Sequence, residues 1–155
     1  MAHFVELELK IDPTGFTSET HLIVKRVVVV GNDISVNGGT LEDNDCHVDG
    51  ETWCSNFFGG GTWKQTSYNN NFRKLYAGEG YRYNETKNKF LLPQPYNSWS
   101  LNSSDDWKAP IAYPSETSDK NISWDEDNLR WVATSESDST NTYYWNPDNQ
   151  DWVDI

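Results

Sequence analysis

The sequence predicts a mainly β protein of the α+β class. An N-terminal antiparallel sheet with one short helix is followed by an array of short, aromatic-paired β-hairpins. Two observations support this class: apolar and polar residues alternate along the first strands, and aromatic pairs recur seven residues apart across segments rich in Asn and Asp. A boundary near Gly78 divides the chain into an N-terminal domain, residues 1–78, and a Trp/Tyr hairpin tail, residues 79–155.

The first strand is predicted over residues 3–11, where one face carries four apolar side chains, those of Val5, Leu7, Leu9 and Ile11. The segment 12–15 (Asp-Pro-Thr-Gly) has the Pro and Gly positions of a type I turn. The Val-rich run 21–30 predicts a second strand, buried on both faces. A third short strand, 34–36, completes three strands in antiparallel succession before the turn Asn37-Gly38-Gly39.

One helix is predicted, over residues 45–56, with Asp49 as its N-cap. Its apolar side would be formed by Trp53, Cys54 and Phe57. The three glycines at 59–61 would end the helix and lead into a strand over residues 62–68.

The hairpin tail is predicted from ring spacing. If Asp127-Asn128 forms a two-residue loop, Asp125 faces Arg130 and Trp124 faces Trp131 on one side of the ribbon. The same count pairs Tyr83 with Phe90 and Trp145 with Trp152. Trp99 and Trp107 are eight residues apart, which predicts an odd loop of three residues with a bulge. Pro147 and the Asn/Asp/Ser runs disfavour helices here, and residues 115–121 and 134–142 are expected to be polar linkers.

Composition excludes several functional classes. The chain of 155 residues carries a formal charge of −12, which disfavours binding to nucleic acid or to an anionic membrane surface. Neither a signal peptide nor an apolar run of about 18 residues is present, so we expect a soluble protein without an N-terminal export signal. Hydrophobic content is only 35%, but each buried aromatic ring removes roughly 150–250 Å² from water. Rings therefore take the place of an aliphatic core.

Metal and catalytic motifs are weak. Asp45-x-His47-x-Asp49-Gly50 has the ligand spacing of the start of a calcium loop. However, His47 occupies a position that normally supplies an oxygen ligand, and Asn56 replaces the final Glu. The acidic loop 125–128 is expected to be a solvated turn, with weak cation binding as the alternative. Cys46 and Cys54 lack metal or redox spacing and are expected to be free or buried thiols. The prediction is no metal, no cofactor and no enzymatic activity.

The paired rings allow two interpretations. Each pair could pack its hairpin against a neighbouring one, because small sheets are not stable alone. Alternatively, exposed ring faces could stack on a sugar or on another protein. The candidate partner-binding residues are Tyr83, Phe90, Trp99, Trp107, Trp124, Trp131, Trp145 and Trp152.

The block Gly-Gly-Gly-Thr-Trp-Lys-Gln-Thr-Ser-Tyr-Asn at 59–69 resembles a family of small proteins encoded by marine cyanophages of myovirus-like and podovirus-like type. The start Met-Ala-His-Phe, the Val-rich second strand and the Trp hairpins are similar to that family too. The segment 12–19 and the hairpin after Thr134 depart from its pattern. The resemblance implies a phage origin and a place in the virion, and it supplies no catalytic residues.

These observations lead to a hypothesis of a non-enzymatic virion structural protein, assembled in the host cytoplasm. We expect a head-surface decoration or cement protein that binds capsid or tail subunits, or a second copy of itself, through the aromatic hairpins. The alternative is a glycan-binding accessory of the tail or a fibre that serves host adsorption. A third possibility is a soluble protein made during infection and absent from particles.

Overall fold

The computed structural model describes residues 1–36, 39–41 and 47–155, without the side chains of residues 47 and 48. Over these residues the protein is mainly β with one α-helix, as predicted. It divides into two compact units, Met1–Pro93 and Gln94–Ile155. This division lies beyond the predicted boundary near Gly78, because the hairpin containing Tyr83 and Phe90 pairs with the N-terminal sheet.

The first unit is built on a five-stranded antiparallel sheet in the order β5-β1-β2-β6-β7, with a separate two-stranded hairpin β3-β4. Its elements are β1 (Ala2–Ile11), β2 (Thr20–Val30), β3 (Ser35–Val36), β4 (Gly39–Thr40), α1 (His47–Phe57), β5 (Thr62–Thr66), β6 (Arg82–Asn84) and β7 (Lys89–Leu91).

Three details of this sheet differ from the sequence prediction. The third strand does not extend the sheet, since β3 pairs with β4 while β5 lies beside β1. Residues at the far end of β1 are exposed, Leu9 by 71% and Ile11 by 63%, and they lie beyond Leu7, where the pairing of β1 with β5 ends. The prediction that β2 is buried on both faces is wrong, since Val29 is 54% exposed.

Two small cores lie on opposite faces of the sheet. On one face α1 packs through Cys54 against Phe4, Val30, Leu41 and Trp63. On the other face Leu75, Ala77 and Tyr81 of the segment 75–81 pack against Val5, Leu7, Val24, Tyr83 and Phe90. The neighbours Phe4 and Val5 are both fully buried, although they point to opposite faces.

The predicted helix is present but its cap is not the predicted one. Asp49 lies in the first turn of α1 instead of preceding it, since the helix begins at His47, and the predicted start at 45–46 lies outside the described residues. At the other end Gly60 N–H donates to Ser55 O at 2.7 Å, and Gly59 takes a φ of +77°. A glycine at this position ends the helix without strain, as the sequence predicts.

The turn between β1 and β2 is organised by a buried carboxylate. Gly15 N–H donates to Asp12 O at 3.1 Å, which closes the predicted turn. The Asp12 carboxylate accepts hydrogen bonds from Thr14 and Thr17, and it pairs with Arg82 at 3.1 Å. Burial opposes ionisation, but hydrogen bonds from Thr14, then Thr17, and the charge of Arg82 lower the pKa of Asp12 to about 2.

The second unit is a four-stranded antiparallel sheet in chain order, β10-β11-β12-β13, together with a separate two-stranded hairpin, β8-β9. Its strands are β8 (Ser100–Leu101), β9 (Trp107–Lys108), β10 (Lys120–Asp125), β11 (Arg130–Ser135), β12 (Thr142–Asn146) and β13 (Asp151–Asp154). The last two predicted hairpins are therefore one sheet, because β11 and β12 also pair, through Val132 and Tyr144 among others. Part of the predicted linker 134–142 belongs to these strands.

Three of the four predicted ring pairs are confirmed in register. Tyr83 pairs with Phe90, Trp124 with Trp131 and Trp145 with Trp152, with ring centroids 5.1, 5.1 and 5.2 Å apart respectively. The fourth pair is wrong. Trp107 faces Leu101 instead of Trp99, because residues 102–106 form a longer loop that is closed by Asn102 N–H donating to Asp106 O at 2.9 Å.

The three confirmed hairpins share a loop of four residues, where two were predicted for the Trp124 hairpin. The last loop residue takes a left-handed conformation in each case: φ is 51° at Asn88, 50° at Leu129 and 54° at Gln150. The residue before each loop, Asn84, Asp125 or Asn146, accepts a hydrogen bond from a loop N–H through its side chain. Loops of two and of four residues are both even, so the predicted ring register is unchanged.

Candidate aromatic binding groove

Four tryptophans form a row on one face of the four-stranded sheet. Trp124 lies opposite Trp131 and Trp145 opposite Trp152, and the pairing of Ala133 with Tyr143 puts both pairs on the same face by alternation. The first three are buried, with exposures of 7%, 7% and 5%, and Trp152 at the edge strand is half-buried. Their first role is therefore to form the core of this unit.

The segment preceding the sheet covers this row and is held there by indole hydrogen bonds. Trp131 Nε1 donates to Ile111 O at 3.0 Å, and Trp152 Nε1 donates to Glu116 O at 2.7 Å. Trp99 packs edge-on against Trp131, with the ring centroids 5.8 Å apart. Because backbone carbonyls satisfy the indole N–H groups of Trp131 and Trp152, an otherwise irregular segment acquires a fixed position.

A carboxylate in the β10–β11 loop fixes the other end of the covering segment. Glu126 accepts hydrogen bonds from Ser98 N–H at 2.9 Å, from Ser98 Oγ at 2.7 Å and from Trp124 Nε1 at 2.6 Å. The Ser98 hydroxyl is the main cause that lowers the pKa of Glu126; burial opposes it, and Trp124 and the Ser98 amide reinforce it. This acidic loop is a hydrogen-bonded turn, and Glu126 serves as an internal acceptor. Within the described residues, no group of three or more His, Cys, Asp or Glu side chains is placed to hold a metal ion.

The covering segment and the sheet together form a groove of about 500 Å³, within the range of roughly 300–1,000 Å³ typical of ligand sites. It is lined by Trp99, Trp107, Lys108, Ala109, Ile111, Ala112, Tyr113 and Trp131. Tyr113 is 59% exposed and its ring meets that of Trp131 edge-on, with centroids 5.0 Å apart. Trp99 and Trp107 are half-buried. Ring faces on a packed support are therefore open to a partner.

The polar atoms in the groove lining are mainly donors. Lys108 is exposed and carries the only charge among the lining side chains. Trp131 Nε1 is already bound to Ile111 O. Trp99 Nε1 is buried and has no hydrogen-bond partner in the part of the chain that the structure describes. An unsatisfied buried donor costs about 1–3 kcal/mol. Because Trp99 Nε1 has no accessible surface, a ligand in the groove would not reach it.

A second depression, of about 490 Å³, lies on the same sheet. Its lining includes Arg130, whose Nε is 3.4 Å from Asp125 and whose guanidinium lies over Tyr144. The Arg130 guanidinium therefore already has partners within the chain. Only one aromatic ring, that of Tyr143, lines this depression. The aromatic groove is the better candidate site.

The eight predicted partner-binding residues occupy different environments. Tyr83 and Phe90 are in the core of the first unit, and Trp124 and Trp145 in that of the second. Trp99, Trp107 and Trp131 line the groove, and Trp152 lies at a sheet edge. The segment 108–113 was not among the binding residues predicted from the sequence. The available signal was an apolar Ile-Ala-Tyr stretch between two prolines.

Of the two predicted thiols, Cys54 is a buried free cysteine, whereas Cys46 lies outside the described residues. Cys54 is unsuited to chemistry, because burial first, and then the nearby charge of Glu51, raise the pKa of its thiol to about 12.

None of the helices in the described residues has the length and apolar character needed to span a membrane. Comparisons of this chain with protein-family models, with curated proteins and with solved structures found no match.

Proposed function

We propose that this chain is a non-enzymatic structural protein of a phage virion, and that its C-terminal unit holds a neighbouring protein in the aromatic groove. The observation that carries the binding role is the set of partly exposed rings, Trp99, Trp107 and Tyr113, on a packed sheet. Protein interfaces are enriched in Trp and Tyr and depleted of charge at their centre. Such rings supply most of the binding free energy when they are pre-positioned.

The place in the virion is supported by the resemblance of residues 59–69 and of the Trp hairpins to marine cyanophage proteins. Within the virion, we assign the protein to the outer surface of the head as a decoration or cement protein. The charge of −12 keeps such a small module soluble before assembly. The groove, with Lys108 as its single charged side chain, is the apolar surface that assembly would cover.

A second candidate function is glycan binding by a tail or fibre accessory protein. The exposure of the Tyr113 ring favours it, because flat aromatic faces also stack on sugar rings.

The experiment is quantitative mass spectrometry of purified particles of the phage that encodes the chain. We expect a fixed copy number of the chain in particles. In a second measurement, Tyr113→Ala protein is added to particles that lack the chain, and we expect it to bind at least about fivefold more weakly than the unaltered protein. Tyr68→Ala is the matched control, since Tyr68 is 65% exposed in the first unit and does not line the groove. Absence of the chain from particles would end the structural proposal.

A further inference from the structure

The geometry points to a second copy of this chain as the partner of the four-stranded sheet in the second unit. The strands β10 and β13 form the two edges of this sheet, and each has one neighbouring strand within the described residues. An edge strand presents backbone N–H and C=O groups with which another strand can pair. The β13 edge of one copy adds antiparallel to the β10 edge of the next copy. This surface is additional to the aromatic groove and does not depend on it.

The hydrogen bonds of the sheet show which backbone groups point outward. Glu136 N–H donates to Asp119 O at 3.2 Å beside the β10–β11 ladder, and Ile155 N–H donates to Thr142 O at 3.0 Å beside the β12–β13 ladder. Along an antiparallel ladder, residues alternate between backbone groups that point to the neighbouring strand and groups that point away from it. Counting from these two pairs, the outward groups belong to residues 120, 122 and 124 of β10 and to residues 152 and 154 of β13.

One antiparallel register meets every requirement of such a junction. It sets Ile122 of one copy opposite Trp152 of the next, and Lys120 opposite Asp154. All four residues have outward backbone groups, so each opposed pair can exchange both N–H···O bonds. Ile122 and Trp152 pack partly buried against the tryptophan cluster of their own sheet, so the junction continues that apolar face from copy to copy. A shift of two residues along the strand would separate Lys120 from Asp154.

Opposite charges on the two edges select the pairing of unlike edges. Lys120 Nζ lies 4.6 Å from the centroid of the Tyr143 ring and 3.4 Å from Ser118 O, and both of these groups are neutral. Asp154 is exposed at the other edge. Two β13 edges would bring together the carboxylates of Asp151 and Asp154 from both copies, which is unfavourable. Charged side chains thus hinder the association of like edges and favour that of β13 with β10.

The contact is head to tail, because each copy contributes a different edge to each of its two neighbours. Such an interface repeats from copy to copy, and it closes into a ring or continues as a row according to the rotation between copies. The net charge of −12 on each chain opposes association at long range. Salt screens this long-range repulsion more than it screens a charge pair in contact, so we expect assembly at physiological ionic strength in preference to dilute buffer.

The test uses sedimentation velocity of the full-length chain, from micromolar to millimolar concentration, at a salt concentration of about 0.15 M. A reducing agent prevents cross-linking through thiols. We expect oligomers that grow with concentration. Hydrogen exchange followed by NMR supplies a second readout, in which the backbone amides of Ile122 and Trp152 should gain protection on assembly because they acquire acceptors in the neighbouring copy.

Charge-exchange variants test the register. Lys120→Asp and Asp154→Lys each set like charges opposite one another, and each should weaken self-association at least about fivefold. Mixing the two variants in equal amounts should restore association, because each edge then meets an opposite charge in the other variant. The chain that carries both substitutions should associate as the unaltered protein does. Lys108→Asp and Asp148→Lys are the matched controls, since they make the same changes of charge at exposed positions outside both edge strands.

The inference is overturned if the unaltered chain stays monomeric up to millimolar concentration, if the control variants associate as weakly as the edge variants, or if neither the mixture nor the doubly substituted chain regains association. Each variant is first checked for a folded spectrum. If an edge variant is unfolded, the amide protection of Ile122 and Trp152 in the unaltered protein decides the matter. These results do not depend on whether the chain is found in particles, because the test uses the chain alone.

Discussion

Replacing Trp131 by alanine tests whether the two units fold on separate cores. Trp131 is 7% exposed, and its ring contacts those of Trp99, Tyr113 and Trp124. Its indole also donates to Ile111 O, so the substitution removes packing and a hydrogen bond together.

The magnitude follows from the size of the unit. Truncation of a buried Trp to Ala costs about 3–5 kcal/mol. The second unit, residues 94–155, is roughly 60 residues long, for which a stability of about 3–9 kcal/mol is typical. The substitution should therefore remove at least about a third, and up to all, of the free energy of unfolding of this unit. The first unit should keep its stability, because its two cores are built from residues of its own strands, helix and loops.

The assay is urea unfolding followed by amide resonances, with β1 reporting on the first unit and β11 on the second. We expect the β11 transition to move to much lower urea or to vanish, while the free energy of unfolding reported by β1 changes by less than about 0.5 kcal/mol. Tyr68→Ala removes a ring of the first unit that contacts His3 and Tyr76, and it should leave the β11 transition in place. If β1 unfolds together with β11 in Trp131→Ala, the two units are one cooperative structure and the reasoning fails.

Two further predictions concern the first unit. Gly50→Ala should destabilise it by about 1–2 kcal/mol in urea unfolding, because the added Cβ would overlap Phe4 Cζ and lie 2.7 Å from Phe4 Cε1, and Phe4 is fully buried. This overpacking, at about 2–3 kcal/mol, outweighs a helix-propensity gain of about 1 kcal/mol, and a stabilised variant would contradict the prediction. Asp12→Asn should lower the free energy of unfolding by about 1 kcal/mol at pH 7. The lowered pKa of Asp12 corresponds to about 2 kcal/mol of stabilisation before solvent screening is discounted. A pKa lowered from 3.8 to about 2 stabilises the fold above pH 3.8, and this contribution is lost as the pH falls through about 2. The difference between the two proteins should therefore narrow as the pH is lowered from neutral through this range, and a constant difference would refute the linkage.

The ring pairing could be predicted because it depends on local chain geometry. A separation of seven residues sets two rings opposite each other for any even loop, so the register of Trp124 with Trp131 did not require the loop type to be known. The loop type itself was missed. Leu129 takes a φ of 50°, a conformation in which Asn or Gly is the usual residue, and nothing in its side chain signals it.

The parts of the fold that could not be predicted depend on contacts between distant segments. The strand β5 lies beside β1 although β2, the β3-β4 hairpin and α1 separate them in sequence, and no local pattern encodes that neighbour. The groove has the same origin. Its wall at Ile111 is held by an indole 20 residues further along the chain, so the spacing of rings within one hairpin gives no indication of it.

The acidic residues show why composition alone is an incomplete guide to this protein. A net charge of −12 suggests a solvated, repulsive surface, and some of the carboxylates do face water. Yet Asp12, Asp119 and Glu126 each accept several hydrogen bonds that hold loop segments in place. These hydrogen bonds lower the pKa of each carboxyl group, although burial alone would raise it. A carboxylate accepts without donating, and this suits loops whose unpaired groups are backbone N–H and hydroxyl donors. The same residues that make the chain acidic therefore hold its loops in place.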